Sequence, residues 1–286
     1  GVPRRLITKT YTTAANIFFA NVYDFMPNAK IIGVTGSKGK STTSSLLAHV
    51  LRATNKKIVF AGNIGTPMLS TLIESKEETT FVLELSSYML EDIAYAPDIA
   101  VLLNIFPEHL DYHEGFESYA SAKANITLRQ TEKQLFVYNA ENDRVRAVAE
   151  QTSAMTIPFS PLPFSVDGFP LQGKHYYDDM RAVYTVAHYL GVQDDLIQHA
   201  FTSFQPLAHR MQFVGEYGGI KWYDDAIATA PEPTVAALET LKDVDTLFLG
   251  GTDRGLTYEK LADAVLESSV RNLVLFPDNG EAMYVM

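Results

Sequence analysis

The sequence predicts an α/β fold in two parts. A first domain carries a mostly parallel, doubly wound sheet, and a smaller, incomplete α/β domain of Rossmann-like pattern follows. Two observations carry this reading. Between residues 30 and 160 near-continuous apolar runs alternate with longer stretches of helical spacing, and strands that are apolar on both faces belong to parallel sheets covered on both sides. After Gln205-Pro206 the alternation starts afresh, which places a domain boundary there.

The elements follow in order. A helical pattern at 10–25 spaces Ala14, Ile17, Phe18, Val22 and Phe25 along one face and is expected to pack beside the sheet. Strands are expected at 31–35, 58–61, 81–85, 99–105 and 134–138, with helices at 41–53, 67–74 and 116–128. Helical patterns at 177–190 and 195–203 precede the linker. Beyond it, 211–217 and 220–223 flank Gly218-Gly219, a hairpin signal. A helix at 232–241, a strand at 246–249, a helix at 258–266 and a strand at 272–276 complete the second pattern, and 281–286 reads as the opening of another helix. The expected domains are 1–206, with 1–29 as entry segment and helix, and 207–286.

A chain of 286 residues can bury a sizeable core. Hydrophobic residues at 47% and charged residues at 20% fit a globular chain, not a disordered one. No apolar run approaches the roughly 20 residues of a spanning helix and no signal-peptide pattern opens the chain, so a cytoplasmic location is expected. The start at Gly1-Val2-Pro3 reads as that of a fragment. A net charge of −11 argues against nucleic acid or anionic membrane as partners, because both need a basic footprint. The absence of cysteine excludes disulfides and thiolate zinc sites.

The stretch Ile31-Ile32-Gly33-Val34-Thr35-Gly36-Ser37-Lys38-Gly39-Lys40-Ser41-Thr42 runs from a buried strand through a Gly-rich turn into a helix. Backbone N–H groups of such a turn, with the positive end of the helix, make a cradle for phosphate. Gly36 and Gly39 permit the turn, Lys40 would reach the β- and γ-phosphates of ATP, and the Ser41 hydroxyl would bind Mg²⁺. Gly36, Ser37, Lys38, Gly39, Lys40, Ser41 and Thr42 are therefore the candidate ATP-binding loop of a P-loop ATPase domain. Strict Walker spacing asks for glycine at position 34, which is Val34.

Thr-Gly-Ser-Lys-Gly-Lys-Ser-Thr-Thr at 35–43 resembles the shortened phosphate loop of the Mur ligase superfamily. Further matches come in the family's order: Gly62-Asn63-Ile64-Gly65, Glu84-Leu85-Ser86-Ser87-Tyr88, Glu108-His109-Leu110-Asp111, Tyr119-Ala120-Ser121-Ala122-Lys123, His209-Arg210 and Asp224-Asp225. Among the branches, Gly-Asn-Ile-Gly and Glu-Leu-Ser-Ser-Tyr resemble most the ligases that add glutamate to UDP-N-acetylmuramoyl-L-alanine in peptidoglycan synthesis. The resemblance implies ATP and Mg²⁺ as cofactors, an acyl-phosphate intermediate, and UDP-N-acetylmuramoyl-L-alanine and glutamate as substrates of a monomer. It also implies that the family's N-terminal uridine-binding domain is missing from this chain and the C-terminal domain is cut short.

Glu84 ends a buried strand at the carboxyl edge, where α/β sheets place their sites, and its carboxylate suits Mg²⁺; the family uses this residue as a magnesium ligand. The resemblance makes His109 a ligand at a second metal position and assigns it to the catalytic group with Lys40, Glu84 and Lys123. Asp111 and His113 read as loop-organising or surface groups. Lys123 has a plain reading as a surface residue; in the family the matching lysine is carbamylated and joins the metal site, which requires burial to lower its pKa. Asn63 and Ser86 either cap local turns or, by resemblance, contact the uridine-nucleotide substrate. Arg210 and Asp225 would meet the ATP phosphates and ribose, an alternative to plain surface pairing.

The pattern departs from the family in three places. Tyr176 and Asp179 stand where two asparagines are usual; the second contacts adenine, and Asp179 can accept but not donate. Ile227 replaces a lysine, and Arg254 stands where the common D-glutamate enzymes carry the lysine for the glutamate side chain. Thr229 and Arg254 remain candidate substrate contacts, and these departures resemble a variant subgroup that adds L-glutamate, so the enantiomer is open. The alternatives to this ligase are a folylpolyglutamate synthetase-like enzyme and a non-catalytic nucleotide-binding relative.

Overall fold

The computed structural model describes residues 12–74, 78–110, 112–171, 174–228, 231–252 and 256–284. They form two compact units, one of residues up to 170 with Tyr176–Phe204, the other of Leu171–His175 with Gln205 onward.

In the first unit α1 (Ala14–Phe25) opens on Thr13, whose side chain accepts from Asn16 N at 3.1 Å. It buries Ala15, Phe18, Phe19 and Val22. β1 (Lys30–Thr35) leads into α2 (Lys40–Arg52), and β2 (Ile58–Gly62), α3 (Met68–Glu74), β3 (Thr80–Glu84) and the short α4 (Ser87–Leu90) follow. Then come β4 (Ile99–Leu102), α5 (Phe116–Ala124), β5 (Leu135–Tyr138), α6 (Asp143–Gln151), β6 (Met155–Pro158), α7 (Lys174–Tyr189) and α8 (Asp194–Ser203).

The six strands make one parallel sheet in the order β2-β3-β1-β4-β5-β6. The apolar runs are central because both faces are covered: β1 residues 31–35 and all of β3 and β4 are buried. Val34, where the strict motif asks for glycine, lies inside β1 opposite Glu84 and Val101. The ends of β3, β1 and β4 thus reach one edge together. In α2, Ser44 and Ser45 stay buried because their hydroxyls donate to Lys40 O at 2.7 Å and Ser41 O at 2.6 Å.

Two expectations are corrected, and two elements were not foreseen. The strand expected over 99–105 ends at Leu102; Leu103 N still donates to Thr35 O at 3.0 Å, and the chain then turns toward the phosphate loop. The helix expected over 116–128 ends at Ala124, where Asn125 Nδ2 donates to Leu90 O and Glu91 O at 3.1 and 3.2 Å and draws the chain into tight turns. The unforeseen α6 and β6 carry weak apolar patterns. α6 begins at the cap Asn142, which accepts from Val145 N at 3.2 Å, and β6 is an exposed edge strand that ends at Pro158.

In the second unit β7 (Gln212–Tyr217) and β8 (Ile220–Asp224) form an antiparallel hairpin. Gly218 and Gly219 make its turn at φ 61° and 79°, the left-handed region that glycine enters freely. α9 (Pro231–Thr240), β9 (Thr246–Leu249), α10 (Glu259–Glu267), β10 (Asn272–Leu275) and α11 (Gly280–Tyr284) follow, with β9 and β10 parallel. Leu238, Tyr258 and Leu261 are buried, whereas Phe213, Trp222, Phe248 and Phe276 stay exposed.

Candidate functional site

The phosphate loop leaves β1 at Thr35 and enters α2 at Lys40. Gly39 caps the helix at φ 84°, and a Cβ there would run into the Asp179 carboxylate of α7; only glycine suits both the angle and the space. The first turn of α2 holds no acidic side chain of its own, and the Asp179 carboxylate of α7 lies against its N-cap, at the positive end of the helix dipole. Ser41 and Thr42, in that first turn, are buried.

The front of the loop is zipped to the segment after β4. Ser37 N donates to Asn104 O at 2.9 Å, Lys38 N donates to Asn104 Oδ1 at 2.8 Å, and Asn104 Nδ2 returns a bond to Lys38 O at 3.2 Å. Ser37 Oγ accepts from Phe106 N at 2.8 Å and lies 2.9 Å from both Phe106 O and the Tyr119 hydroxyl. Lys38 Nζ pairs with Glu108 Oε1 at 2.5 Å, and Tyr119 donates to Glu108 Oε2 at 3.3 Å. Burial pushes the Tyr119 hydroxyl above the usual phenol range, which keeps it a donor.

Two lysines converge behind the loop. Lys40 Nζ donates to Gly36 O at 2.9 Å and Ser37 O at 2.7 Å, and Lys123 Nζ donates to Gly36 O at 2.8 Å. Lys123 is 1% exposed, which overturns its plain reading as a surface residue. Its amine is held well below the ordinary lysine range, first by burial and then by the charge of Lys40, against the pull of Glu108 and Glu84. A buried amine so depressed is available as the neutral form.

Glu84, also 1% exposed, ends β3 beside the loop. Its Oε1 accepts from Asn63 Nδ2 at 2.9 Å, while Oε2 is buried without a hydrogen-bond partner. A buried carboxylate oxygen left unmatched is costly unless a cation completes it. Gly62, at φ 118°, lets β2 pass so close that a Cβ would strike the backbone of Glu84. The residues fit Mg²⁺, which takes one or two carboxylates together with substrate phosphates. Among the described residues no three His, Asp or Glu side chains gather as a metal cluster on their own.

His109, at φ 52°, is exposed; its ring lies 5.3 Å from that of Tyr88 and 6.2 Å from that of Tyr119. His113 is no surface group. It is 2% exposed, Nε2 lies 2.9 Å from Ser87 Oγ, and Tyr88, Tyr112 and Tyr119 surround it. Asp111 falls outside the described residues. Ser86 caps α4, accepting from Met89 N at 3.4 Å, which is the local role the sequence left open for it, whereas the Asn63 side chain reaches across to Glu84, 21 residues away.

In the second unit, taken by itself, Asp225 Oδ1 accepts from Met211 N at 2.9 Å. Burial pushes its carboxyl up, opposed by that N–H and by the charge of Arg210; Arg210 and Asp225 are thus neighbours. Asp224 Oδ2 meets His209 Nδ1 at 2.7 Å and Oδ1 accepts from Ala226 N at 2.9 Å. The Ala226 N–H first, then His209, hold that carboxyl below its usual range. Ile227 is exposed, and Thr229 and Arg254 lie outside the described residues.

Sequence reasoning missed Asn104, Glu108 and Tyr119 as parts of the site. Asn104 had the signal that singled out Glu84, a polar residue just beyond a buried strand at the carboxyl edge, but the apolar run 99–105 hid it inside an expected strand.

A glycine turn, two lysines and a helix N-terminus at the carboxyl edge of a parallel sheet define a P-loop ATPase-like α/β domain. Residues 34–181 match the model of the Mur ligase middle domain, just over half the chain, and the chain belongs to the Mur ligase family. It is 34% identical over 279 residues to a protein of Ligilactobacillus salivarius, covering 90% of this chain and 61% of that one. It is 36% identical over 269 residues to one of Halalkalibacterium halodurans, covering 87% and 59%. Both relatives are named UDP-N-acetylmuramoylalanine–D-glutamate ligase. The chain therefore spans about three fifths of their length.

Among solved structures, MurF ligase from Thermotoga maritima in complex with ADP aligns with a TM-score of 0.74 at 20% identity, over 98% of this chain and 75% of that one. A bifunctional folylpolyglutamate synthase/dihydrofolate synthase with Mn, AMPPNP and L-glutamate aligns with a TM-score of 0.68 at 15% identity, over 95% and 80%. These likenesses speak for the fold.

Proposed function

We propose that the chain is the catalytic core of an ATP-dependent, ADP-forming ligase of peptidoglycan synthesis, joining glutamate to UDP-N-acetylmuramoyl-L-alanine. The observation that carries the reading is the buried pair beside the phosphate loop: Glu84 with an unmatched oxygen and Lys123 with a depressed pKa. Neither is explained by packing, and both suit a reaction that crowds phosphate and carboxylate oxygens together. The names of the relatives supply the substrates.

In this mechanism the first turn of α2 receives the phosphates, and Lys40 turns from the Gly36 and Ser37 carbonyls to the β- and γ-phosphates. The alanyl carboxylate attacks the γ-phosphorus, releasing ADP and forming an acyl phosphate. The free amine of glutamate then attacks the carbonyl carbon, phosphate leaves, and the amine gives up a proton. Glu84 and the Ser41 hydroxyl would hold Mg²⁺, whose chemistry is to offset the charge among the reacting oxygens. Lys123, its amine held well below the ordinary lysine range by burial, would take up CO₂ as a carbamate with loss of a proton and so add a second carboxylate beside Glu84; His109 would serve a second metal position.

Asn63 and Ser86 would contact the uridine substrate, Asp179, Arg210 and Asp225 the nucleotide, and Thr229 and Arg254 the glutamate. With this reading go a cytoplasmic monomer and no nucleic-acid or membrane partner, in keeping with the net charge of −11. The test incubates the full-length protein that carries this chain with ATP, Mg²⁺, UDP-N-acetylmuramoyl-L-alanine and each glutamate enantiomer. Phosphate release is expected with one enantiomer; the relatives' names point to D-glutamate, and Ile227 and Arg254 make the comparison decisive. Release with neither, or release with a folate and glutamate instead, would sink the proposal.

A further inference from the structure

The proposed mechanism uses Lys40, Glu84 and Lys123 and gives Asn104 no part, yet Asn104 makes three hydrogen bonds to the loop. It stands just beyond β4, two residues after Leu102. Its side chain pairs with the Lys38 peptide group in both directions, accepting from Lys38 N at 2.8 Å and donating to Lys38 O at 3.2 Å. Its own carbonyl accepts from Ser37 N at 2.9 Å. The pairing fixes which end of the amide is which, since a donor and an acceptor are each met by the opposite kind. The backbone of Gly36 is pressed against the same segment, where a Cβ would stand 2.9 Å from Leu103 Cβ and 3.3 Å from Asn104 N.

We propose that Asn104 is a positioning residue that sets the shape of the phosphate loop by clamping the Lys38 peptide group. The clamp turns the N–H groups of Ser37 and Lys38 into the protein, so that an incoming anion is met by the first turn of α2 and not by the front of the loop. It also delivers the Lys38 side chain to Glu108, 2.5 Å away. A shortened loop, with Val34 still inside β1, has less of its own backbone to hold its shape, and an amide from the neighbouring strand end supplies the restraint.

The test compares the wild-type chain with Asn104→Ala and with Asn104→Leu, which keeps the volume and removes both polar atoms. Amide hydrogen exchange across residues 36–41, MgATP affinity by calorimetry and the thermal midpoint are measured on each. Loss of a hydrogen bond that organises a binding loop is worth about tenfold. The expected result in both variants is at least a tenfold rise in exchange at Lys38, whose acceptor is the Asn104 side chain, a rise of about tenfold in the MgATP dissociation constant, and a nearly unchanged midpoint. Unchanged exchange at the Lys38 amide overturns the clamp. So does raised exchange with unaltered MgATP affinity, and so does a rise spread evenly over the first unit, which would mark Asn104 as a general packing residue. The affinity arm rests on the proposed function and the exchange arm does not. A wild-type chain that binds no MgATP would count against that function, while the exchange arm alone would then decide the clamp.

Discussion

The carboxyl edge of the six-stranded sheet and the open end of the hairpin of the second unit both carry ionisable residues that the sequence singles out, but under opposite conditions. Glu84 and Lys123 are each 1% exposed. His209, paired with Asp224, keeps 60% of its side-chain surface. Burying an ionisable group costs several kcal/mol in practice unless a partner or a function offsets it, so a carboxylate oxygen left unmatched in the core points to something that binds there. An exposed pair costs almost nothing and adds little; its presence marks no site by itself.

Substitutions should sharpen that contrast or break it. Lys40→Ala has the largest expected effect, a loss of about a thousandfold in ATP turnover, because it removes the cation aimed at the transferred phosphoryl group; a rate near wild type would remove Lys40 from the mechanism. Glu84→Gln should lower the Mg²⁺-dependent rate by about a hundredfold while the thermal midpoint holds or rises, since the buried charge is gone. A large fall in stability there would mean that Glu84 serves packing.

Lys123→Met tests the depressed amine through pH. The folded pKa lies well below that of the unfolded lysine, so between the two values the unfolded chain binds a proton that the folded chain does not. Stability should therefore climb with pH across that window and level off above the unfolded lysine value. Denaturant midpoints from pH 7 upward should show this climb in wild type and a flatter profile in the variant, which should also lose activity. The smallest effect is expected for His209→Ala, a midpoint within about one degree of wild type and no fall in turnover. If it cut turnover as deeply as Glu84→Gln, the contrast between the two regions would fail.

Much of the site was legible because the loop and the strand-end carboxylate are local features. A strand, a glycine turn and a helix start are contiguous in 31–42, and each has its own chemical signature. Glu84 could be placed by counting to the end of an apolar run. The bounds of β4 and α5 were misread because they are set from a distance. Phosphate-loop bonds capture Asn104 and Phe106, and Asn125 is drawn to the carbonyls of Leu90 and Glu91. His113 looked like one more polar loop residue until Tyr88, Tyr112 and Tyr119 closed around it.

The sequence by itself determined the fold class, the phosphate loop and the family, because periodicity and contiguous motifs are properties of the chain order. Tertiary structure alone decided the state of its charged groups. Whether Lys123 is a solvated cation or a neutral buried amine, and whether Glu84 keeps an oxygen without a partner, depends on which distant segments exclude water from them. Solvation is a property of the folded surroundings, and residue type and spacing do not encode it.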